Sequence, residues 1–167
     1  MSSTQHETRA SITIPSTLHY RPLPAPLAQA IKHDAPSVIR IVDTPGSYPC
    51  RRCLQDGQVG DRMRLLSYDP WLGASPYRQP GPIFVHEEPI CRKAEFPVHS
   101  TLPEQQRKRE LSIRAFDREH MMVAFDTIQG EKLVSRVEEI FEQAGGAEYV
   151  HVHYAGPGCF AVRIDRA

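Results

Sequence analysis

The last third of the chain switches between strand and helix periodicity, and this pattern constrains the fold more than any other feature. Apolar residues recur every three or four positions through residues 130–144, which predicts a helix with one apolar face. That face consists of Leu133, Val134, Val137, Ile140 and Phe141. Two strand-like segments precede the helix, at 111–116 and 121–128, and two follow it, at 149–154 and 159–164. The order strand–strand–helix–strand–strand predicts an α+β domain.

Shorter elements are predicted upstream. Residues 11–14, 38–42, 62–68 and 83–86 read as strands, and residues 27–33 form a short helix candidate bounded by prolines. We therefore expect one mixed, mainly antiparallel sheet with the C-terminal helix packed on one face.

The length fits a single domain. A chain of 167 residues can bury a core of its own, so we expect residues 11–167 to form one α+β domain. Residues 1–10 are small and polar and are expected to be disordered. The charged, proline-containing stretch 96–109 is expected to be a long loop within the domain.

The charge balance excludes some classes of partner. Twenty basic and twenty acidic side chains cancel, which leaves no electrostatic footprint for nucleic acid or an anionic membrane. The first residues lack the apolar core of a signal peptide, and no apolar run has the length of a membrane span. We expect a soluble cytoplasmic protein with reduced cysteines and a small-molecule ligand, and the oligomeric state is left open.

Residues 48–91 hold most of the side chains that can do chemistry. Three of the four cysteines and the only tryptophan fall in this block. Short apolar strands alternate there with turns rich in proline and glycine, and such turns hold functional side chains in place. The block therefore predicts a pocket.

The leading hypothesis for this pocket is an acid/base site. Arg78 can hold a carboxylate or phosphate in a bidentate fork, so it is the expected substrate-binding residue. His86 is the expected acid/base catalyst, and Tyr68 or Tyr77 is expected to polarise the substrate. Tyr68, Arg78 and His86 are predicted to share one concave surface.

Two further histidines are candidates for the same pocket. His151 and His153 lie two positions apart in a predicted strand and therefore on one face. Such a pair can hold a metal, but residues 154–158 supply no further ligand. The histidines either face solvent or line the pocket, and we expect them to border it as substrate-binding residues.

The same block contains a candidate metal site. Cys50 and Cys53 have the spacing that lets two thiolates face one point, and His86 with Cys91 would complete a Cys₃His set for zinc. About thirty residues separate the pairs, more than the roughly 12–20 of compact zinc modules, and no glycine follows Cys53. A second interpretation is that the cysteines are reduced structural thiols near a loop, and a redox dithiol is the third. It is disfavoured because the turn at 55–57 breaks the helix that such a dithiol opens.

Several motifs of this chain resemble those of a known family. They are Pro49-Cys-Arg-Arg-Cys-Leu54, Gly60-Asp61, Leu66-Ser-Tyr-Asp-Pro70, Ser75-Pro-Tyr-Arg78, Gly81-Pro-Ile-Phe-Val-His86 with Cys91, Leu111-Ser-Ile-Arg114, and Gly158-Cys159. Over about residues 40–166 the chain resembles the family catalogued as domain of unknown function 1203. Trp71 and Phe116 depart from its usual pattern of Phe and Tyr at these positions. The resemblance implies a domain boundary and the location of the site, and it brings no activity.

These observations lead to two hypotheses of function. No glycine-rich phosphate loop is present, so a nucleotide or redox cofactor is not expected. The first hypothesis is a small enzyme that acts on an anionic or carbonyl-bearing metabolite by acid/base catalysis without a cofactor, of the lyase, isomerase or cyclase type. The alternative is a zinc-stabilised binding or regulatory module without catalysis.

Overall fold

The computed structural model describes residues 17–23, 36–70, 74–87, 91 and 96–167. The expected disorder at 1–10, the strand at 11–14 and the helix at 27–33 lie outside these residues. Within them the chain forms strands in two antiparallel sheets, with little helix, so the predicted α+β class is confirmed. No helix in this part of the chain is long and apolar enough to cross a membrane.

The larger sheet has five strands in the order β1-β8-β7-β5-β6, and all its pairings are antiparallel. These strands are β1 (Leu18–Arg21), β5 (Glu110–Phe116), β6 (Met122–Gln129), β7 (Tyr149–Tyr154) and β8 (Phe160–Arg166). The predicted hairpin is β5 paired with β6, and the two predicted C-terminal strands are β7 and β8. The four C-terminal strands thus follow the periodicity of the sequence.

The C-terminal helix covers one face of this sheet. A 3-10 turn (Gly130–Lys132) leads into the helix Leu133–Gln143, here α2. Leu133, Val137, Ile140 and Phe141 are buried in one core with apolar side chains of β5, β7 and β8. The prediction that the helix packs on one face of the sheet is confirmed. Burial of its apolar stripe against the sheet removes these side chains from water and stabilises the contact.

The smaller sheet has three strands in the order β2-β3-β4. They are β2 (Ser37–Ile41), β3 (Arg62–Tyr68) and β4 (Gly81–His86). β2 is mostly exposed, so a separate small core forms mainly on β3, β4 and the segment that contains Cys50. The strands of the domain therefore divide between two sheets and two cores.

One aromatic side chain joins the sheets. The register of β7 against β8 shifts between Val152 and His153, so that Phe160 faces His153. Such a shift re-aims side chains at the end of a strand. The Phe160 ring belongs to the core of the smaller sheet and lies 5.8 Å, between ring centroids, from that of Tyr68.

The stretch 96–109 is more ordered than the sequence predicts. It contains a short helix, α1 (Glu104–Arg107), in which Gln105 and Gln106 are buried. The Tyr154 hydroxyl donates to Gln105 Oε1 at 2.7 Å, and Gln106 Nε2 donates to the Tyr154 oxygen at 3.1 Å. These bonds satisfy polar groups that would otherwise be costly to bury, and they fix α1 to β7.

Candidate metal centre and polar cavity

Four potential metal ligands converge beside β4. Cys50, Cys53, His86 and Cys91 each place one ligand atom within 4.8 Å of the others, and we call this group the Cys₃His centre. Cys50 and Cys91 are buried, Cys53 is partly buried, and none of them forms a disulfide. The sequence pattern thus assembles in space although about thirty residues separate its halves.

The β3–β4 hairpin accounts for this convergence. β3 and β4 run antiparallel, so the chain returns and places His86 at the end of β4, opposite Met63. The segment around Cys50 lies alongside β4, where the Arg51 amide donates to the Phe84 carbonyl at 3.1 Å. The long spacing is therefore the length of a hairpin and does not argue against a metal site.

Leu54 replaces the glycine that a cysteine turn usually contains. Its φ angle is +55°, in the left-handed region that glycine favours, and its side chain is buried. The Cys50 amide donates to the Gln55 carbonyl at 3.0 Å and closes the turn. The turn therefore forms without glycine and brings Cys53 to face Cys50.

The distances fit tetrahedral coordination. Zinc bonds of about 2.3 Å to sulfur and 2.0–2.1 Å to nitrogen give tetrahedral edges of roughly 3.8 Å between sulfurs and 3.6 Å between sulfur and nitrogen. The Sγ atoms of Cys50 and Cys91 are 3.5 Å apart. His86 Nδ1 lies 3.4 Å from Cys53 Sγ and 3.7 Å from Cys91 Sγ. These three distances are close to the tetrahedral edges, and all four ligand atoms lie within 4.8 Å of one another.

Groups around the centre are suited to support a metal. The His86 ring turns Nδ1 toward the sulfurs, while Nε2 lies 3.4 Å from Asp61 Oδ2. The Gln58 amide holds that carboxylate at 2.8 Å, and the His86 amide donates to Cys50 Sγ at 3.3 Å. A carboxylate behind a ligating histidine orients the ring and raises its basicity.

Protons compete for the centre when no cation holds it. Burial lowers the pKa of His86, but hydrogen bonds to Cys50 and Cys53 outweigh this effect and raise it to about 10. Hydrogen bonds from Cys53 and Cys91 lower the pKa of Cys50, and the same network raises that of Cys91. Negative charge is thus favoured on Cys50 beside a protonated His86, and a divalent cation that displaced the remaining protons would hold all four ligands.

Two buried arginines surround the cysteine turn. Arg51 donates from Nε to the Phe160 carbonyl at 2.8 Å and stacks over Tyr154, so it ties the turn to the larger sheet. Arg52 donates from Nη1 to the Cys91 carbonyl at 3.2 Å. Their positive charges offset the net charge of −1 that three thiolates and one Zn²⁺ would carry.

A second feature is a cavity of about 330 Å³ beside the face of the larger sheet that α2 does not cover. We call it the polar cavity. Its walls are Pro70, Pro76, Tyr77, Arg78, Gln79, Arg114, Phe116, Met122, His151 and His153. Four of the residues predicted to form a pocket, Tyr77, Arg78, His151 and His153, therefore line one cavity.

The other two predicted residues lie elsewhere. His86 belongs to the Cys₃His centre and does not line the polar cavity. Tyr68 is buried against Phe160 and does not line it either, and burial raises the pKa of Tyr68 to about 12. Tyr68, Arg78 and His86 therefore do not share the single concave surface that the sequence predicted. The pairing of β3 with β4 turns the His86 ring toward the cysteines and away from Arg78.

Arg114 and Asp61 also belong to these sites, although their sequence positions do not identify them as functional residues. Arg114 lines the cavity and pairs across β5 and β7 with His151, and Asp61 supports His86. Both lie in motifs shared with the resembling family, at 111–114 and 60–61. A charged residue in the middle of a mostly apolar strand was the available signal for Arg114.

The cavity histidines are held neutral. Burial, followed by the charges of His153, Arg163, Arg114 and His120, lowers the pKa of His151 to about 3. Burial and the charges of Arg114 and Arg51 lower the pKa of His153 to about 4, although its hydrogen bond to Gly158 acts in the opposite direction.

This depression predicts a pH-dependent stability. An unfolded histidine titrates near 6.5, so between about pH 6.5 and pH 4 the unfolded chain binds more protons than the folded one. Each histidine then stabilises the fold fully above pH 6.5 and loses about 1.4 kcal/mol of this stabilisation per pH unit as the pH falls.

Urea unfolding at pH 7, 6 and 5 measures this effect. The variants His151→Phe and His153→Gln should each lose roughly 2 kcal/mol less stability than the wild type between pH 7 and pH 5. Loss of a bound metal in acid should affect the wild type and both variants alike. The quantity to compare is therefore the change in unfolding free energy with pH in each variant relative to the wild type. Parallel slopes would contradict neutral burial of these rings.

Comparison with known proteins adds one match. A family model described as "Protein of unknown function (DUF1203)" matches residues 47–166, a span that includes the Cys₃His centre and the walls of the polar cavity. No curated protein and no solved structure matches the chain.

Proposed function

Because the chain belongs to the family described as a protein of unknown function (DUF1203), we propose a function from its own site: a binding domain stabilised by zinc. In this proposal Cys50, Cys53, His86 and Cys91 hold the ion. The observation that carries it is the convergence of four ligand atoms within 4.8 Å.

The donor set favours zinc over harder ions. Thiolate and imidazole ligands suit zinc, whereas calcium and magnesium take oxygen ligands. Four protein ligands fill a tetrahedron and leave no position for water or substrate, which is the mark of a structural site. The ion would therefore join the cysteine turn, the end of β4 and Cys91, and it would reinforce the small core of the three-stranded sheet.

An acid/base enzyme is the second candidate. One observation favours it, since Tyr77, Arg78, His151 and His153 line a single cavity. His86 would be a zinc ligand and would not titrate as a free base, so the acid/base role would pass to a cavity histidine. Both candidate functions include the metal centre. They differ in whether the polar cavity catalyses an acid/base reaction.

Metal content tests the zinc proposal. After reconstitution with zinc and removal of excess ion, elemental analysis is expected to find about one zinc per chain. Cobalt in place of zinc should produce the visible absorption of a tetrahedral thiolate complex. The variant Cys53→Ser should lose most of the bound metal.

Cys159→Ser is the matched control, because it removes the one cysteine outside the centre. It should bind metal like the wild type. Either a wild type that retains no zinc after reconstitution or equal metal binding by Cys53→Ser and the wild type would refute the proposal.

A further inference from the structure

We propose that the polar cavity binds a small oxyanion, a carboxylate or a phosphate, that also carries a hydroxyl hydrogen. This inference goes beyond the zinc proposal and does not depend on it, because the cavity and the Cys₃His centre have no described residue in common.

The cavity holds positive charge that its own walls do not balance. Arg78 and Arg114 line it, and none of the lining residues that the structure describes is acidic. Arg78 forms an ion pair with Asp69, which neutralises it. Arg114 donates from Nη1 to the neutral amide oxygen of Gln79 at 3.0 Å, and among the described residues no carboxylate pairs with it. Arg114 therefore supplies the net charge that an anion would balance.

Arg114 also has donors to spare. A guanidinium carries five N–H groups in a planar fork, and one of them is used by Gln79. Arg114 is directly opposite His151 in the β5–β7 pairing, so its charge lies beside the cavity histidines. The low pKa of both histidines reflects this positive surrounding as well as burial. An anion in the cavity would be attracted by the same field.

His153 supplies a hydrogen-bond acceptor. Its Nδ1 lies 3.0 Å from the Gly158 carbonyl oxygen, which can only accept, so Nδ1 carries the hydrogen. The ring is neutral near pH 7, hence Nε2 keeps its lone pair. Within the described part of the chain only Nδ1 of this ring has a hydrogen-bond partner. A ligand that donates a hydrogen bond would satisfy Nε2.

These two requirements specify the ligand class. The Arg114 fork fits a carboxylate or a phosphate. The His153 lone pair calls for a hydroxyl hydrogen in the same molecule, as in hydrogen phosphate or a 2-hydroxycarboxylate. Sulfate is an anion of similar size to hydrogen phosphate, and acetate is an anion of similar size to a small 2-hydroxycarboxylate. Neither sulfate nor acetate carries a hydroxyl hydrogen at pH 7. The cavity volume of about 330 Å³ is sufficient for either class.

Isothermal titration calorimetry at pH 7 and low salt tests the inference with two pairs of probes. Phosphate is compared with sulfate, and glycolate with acetate. In at least one pair the member with the hydroxyl hydrogen should bind at least about tenfold more tightly, since the other would cover His153 Nε2 without donating a hydrogen bond to it. The pair with the larger ratio identifies the source of the oxyanion.

Variants assign the binding to the two side chains. Arg114→Gln should weaken binding of the preferred probe by at least about tenfold, and Arg114→Lys should restore it only in part, because an ammonium cannot form the fork. His153→Phe should remove the discrimination within the pair. Arg136→Gln makes the same change of charge on α2, where Arg136 pairs with Asp126 outside the cavity, and it should bind like the wild type.

The inference is overturned if the wild type discriminates within neither pair or binds none of the four probes. It is equally overturned if Arg114→Gln binds as tightly as Arg136→Gln. The wild-type measurement needs no variant to fold, and none of these results bears on the Cys₃His centre.

Discussion

If the Cys₃His centre holds zinc as proposed, removal of the ion is expected to lower the free energy of unfolding by about 5 kcal/mol, which corresponds to a fall of roughly 10–20 °C in the melting temperature. The physical reason is the size of the smaller core. Its sheet has three strands, and β2 is mostly exposed, so apolar burial alone contributes little there. Without the ion, the thiolates and the imidazole would also lie buried close together without their shared cation.

Hydrogen exchange localises this effect. After chelation, amides of β2, β3 and β4 should exchange faster, while those of β5 and β7 should stay protected by the larger core. Asp61→Asn should keep the fold but weaken zinc affinity by about 10–100-fold, since Asp61 orients the His86 ring.

Cys159→Ser provides the control, and its response to the chelator should equal that of the wild type. A zinc-loaded protein whose melting temperature does not change after complete removal of the metal would contradict a structural role.

Gly130→Ala is expected to destabilise the protein by more than about 3 kcal/mol. A methyl group at this position would lie 2.0 Å from the Gln106 carbonyl oxygen and 2.7 Å from that of Arg107. Both contacts are with backbone, so no side-chain rotation can relieve them. The Gly130 amide also donates to the Arg109 carbonyl at 2.8 Å, which holds the two chain segments together.

Chemical denaturation of Gly130→Ala and Gly145→Ala measures this effect. Gly145 follows α2 and is exposed, and a methyl group added to it would meet no atom within 4 Å, so its substitution should change stability by less than about 1 kcal/mol. Equal stability of the two variants would show that the contact between α1 and the 3-10 turn can open without cost.

The contact at Gly130 is a constraint that the sequence pattern does not reveal. Gly130 precedes a clear helix, and from the sequence it reads as an ordinary boundary residue. Its constraint comes from α1, in a stretch that the composition predicted to be a loop. Gln105 and Gln106 are polar, and their burial depends on hydrogen bonds to Tyr154, to the Cys50 carbonyl and to each other.

The site residues show a similar division. The Cys₃His set was identified by residue type and spacing, and the structure brings its members together. The sequence did not show which of two places His86 would join. Alternation along β4 specifies which residues share a face, but not which partner that face meets.

The sequence by itself determined the class of fold, the order of the C-terminal elements and the candidate ligands of a metal. Those features depend on residues two to four positions apart, or on the chemistry of single side chains, and both can be seen in the printed sequence. The tertiary structure alone decided that the strands form two sheets, that Arg114 pairs with His151, and that His86 lies in the Cys₃His centre while Arg78 lines the polar cavity. These outcomes depend on pairing between segments far apart along the chain, which local periodicity does not encode.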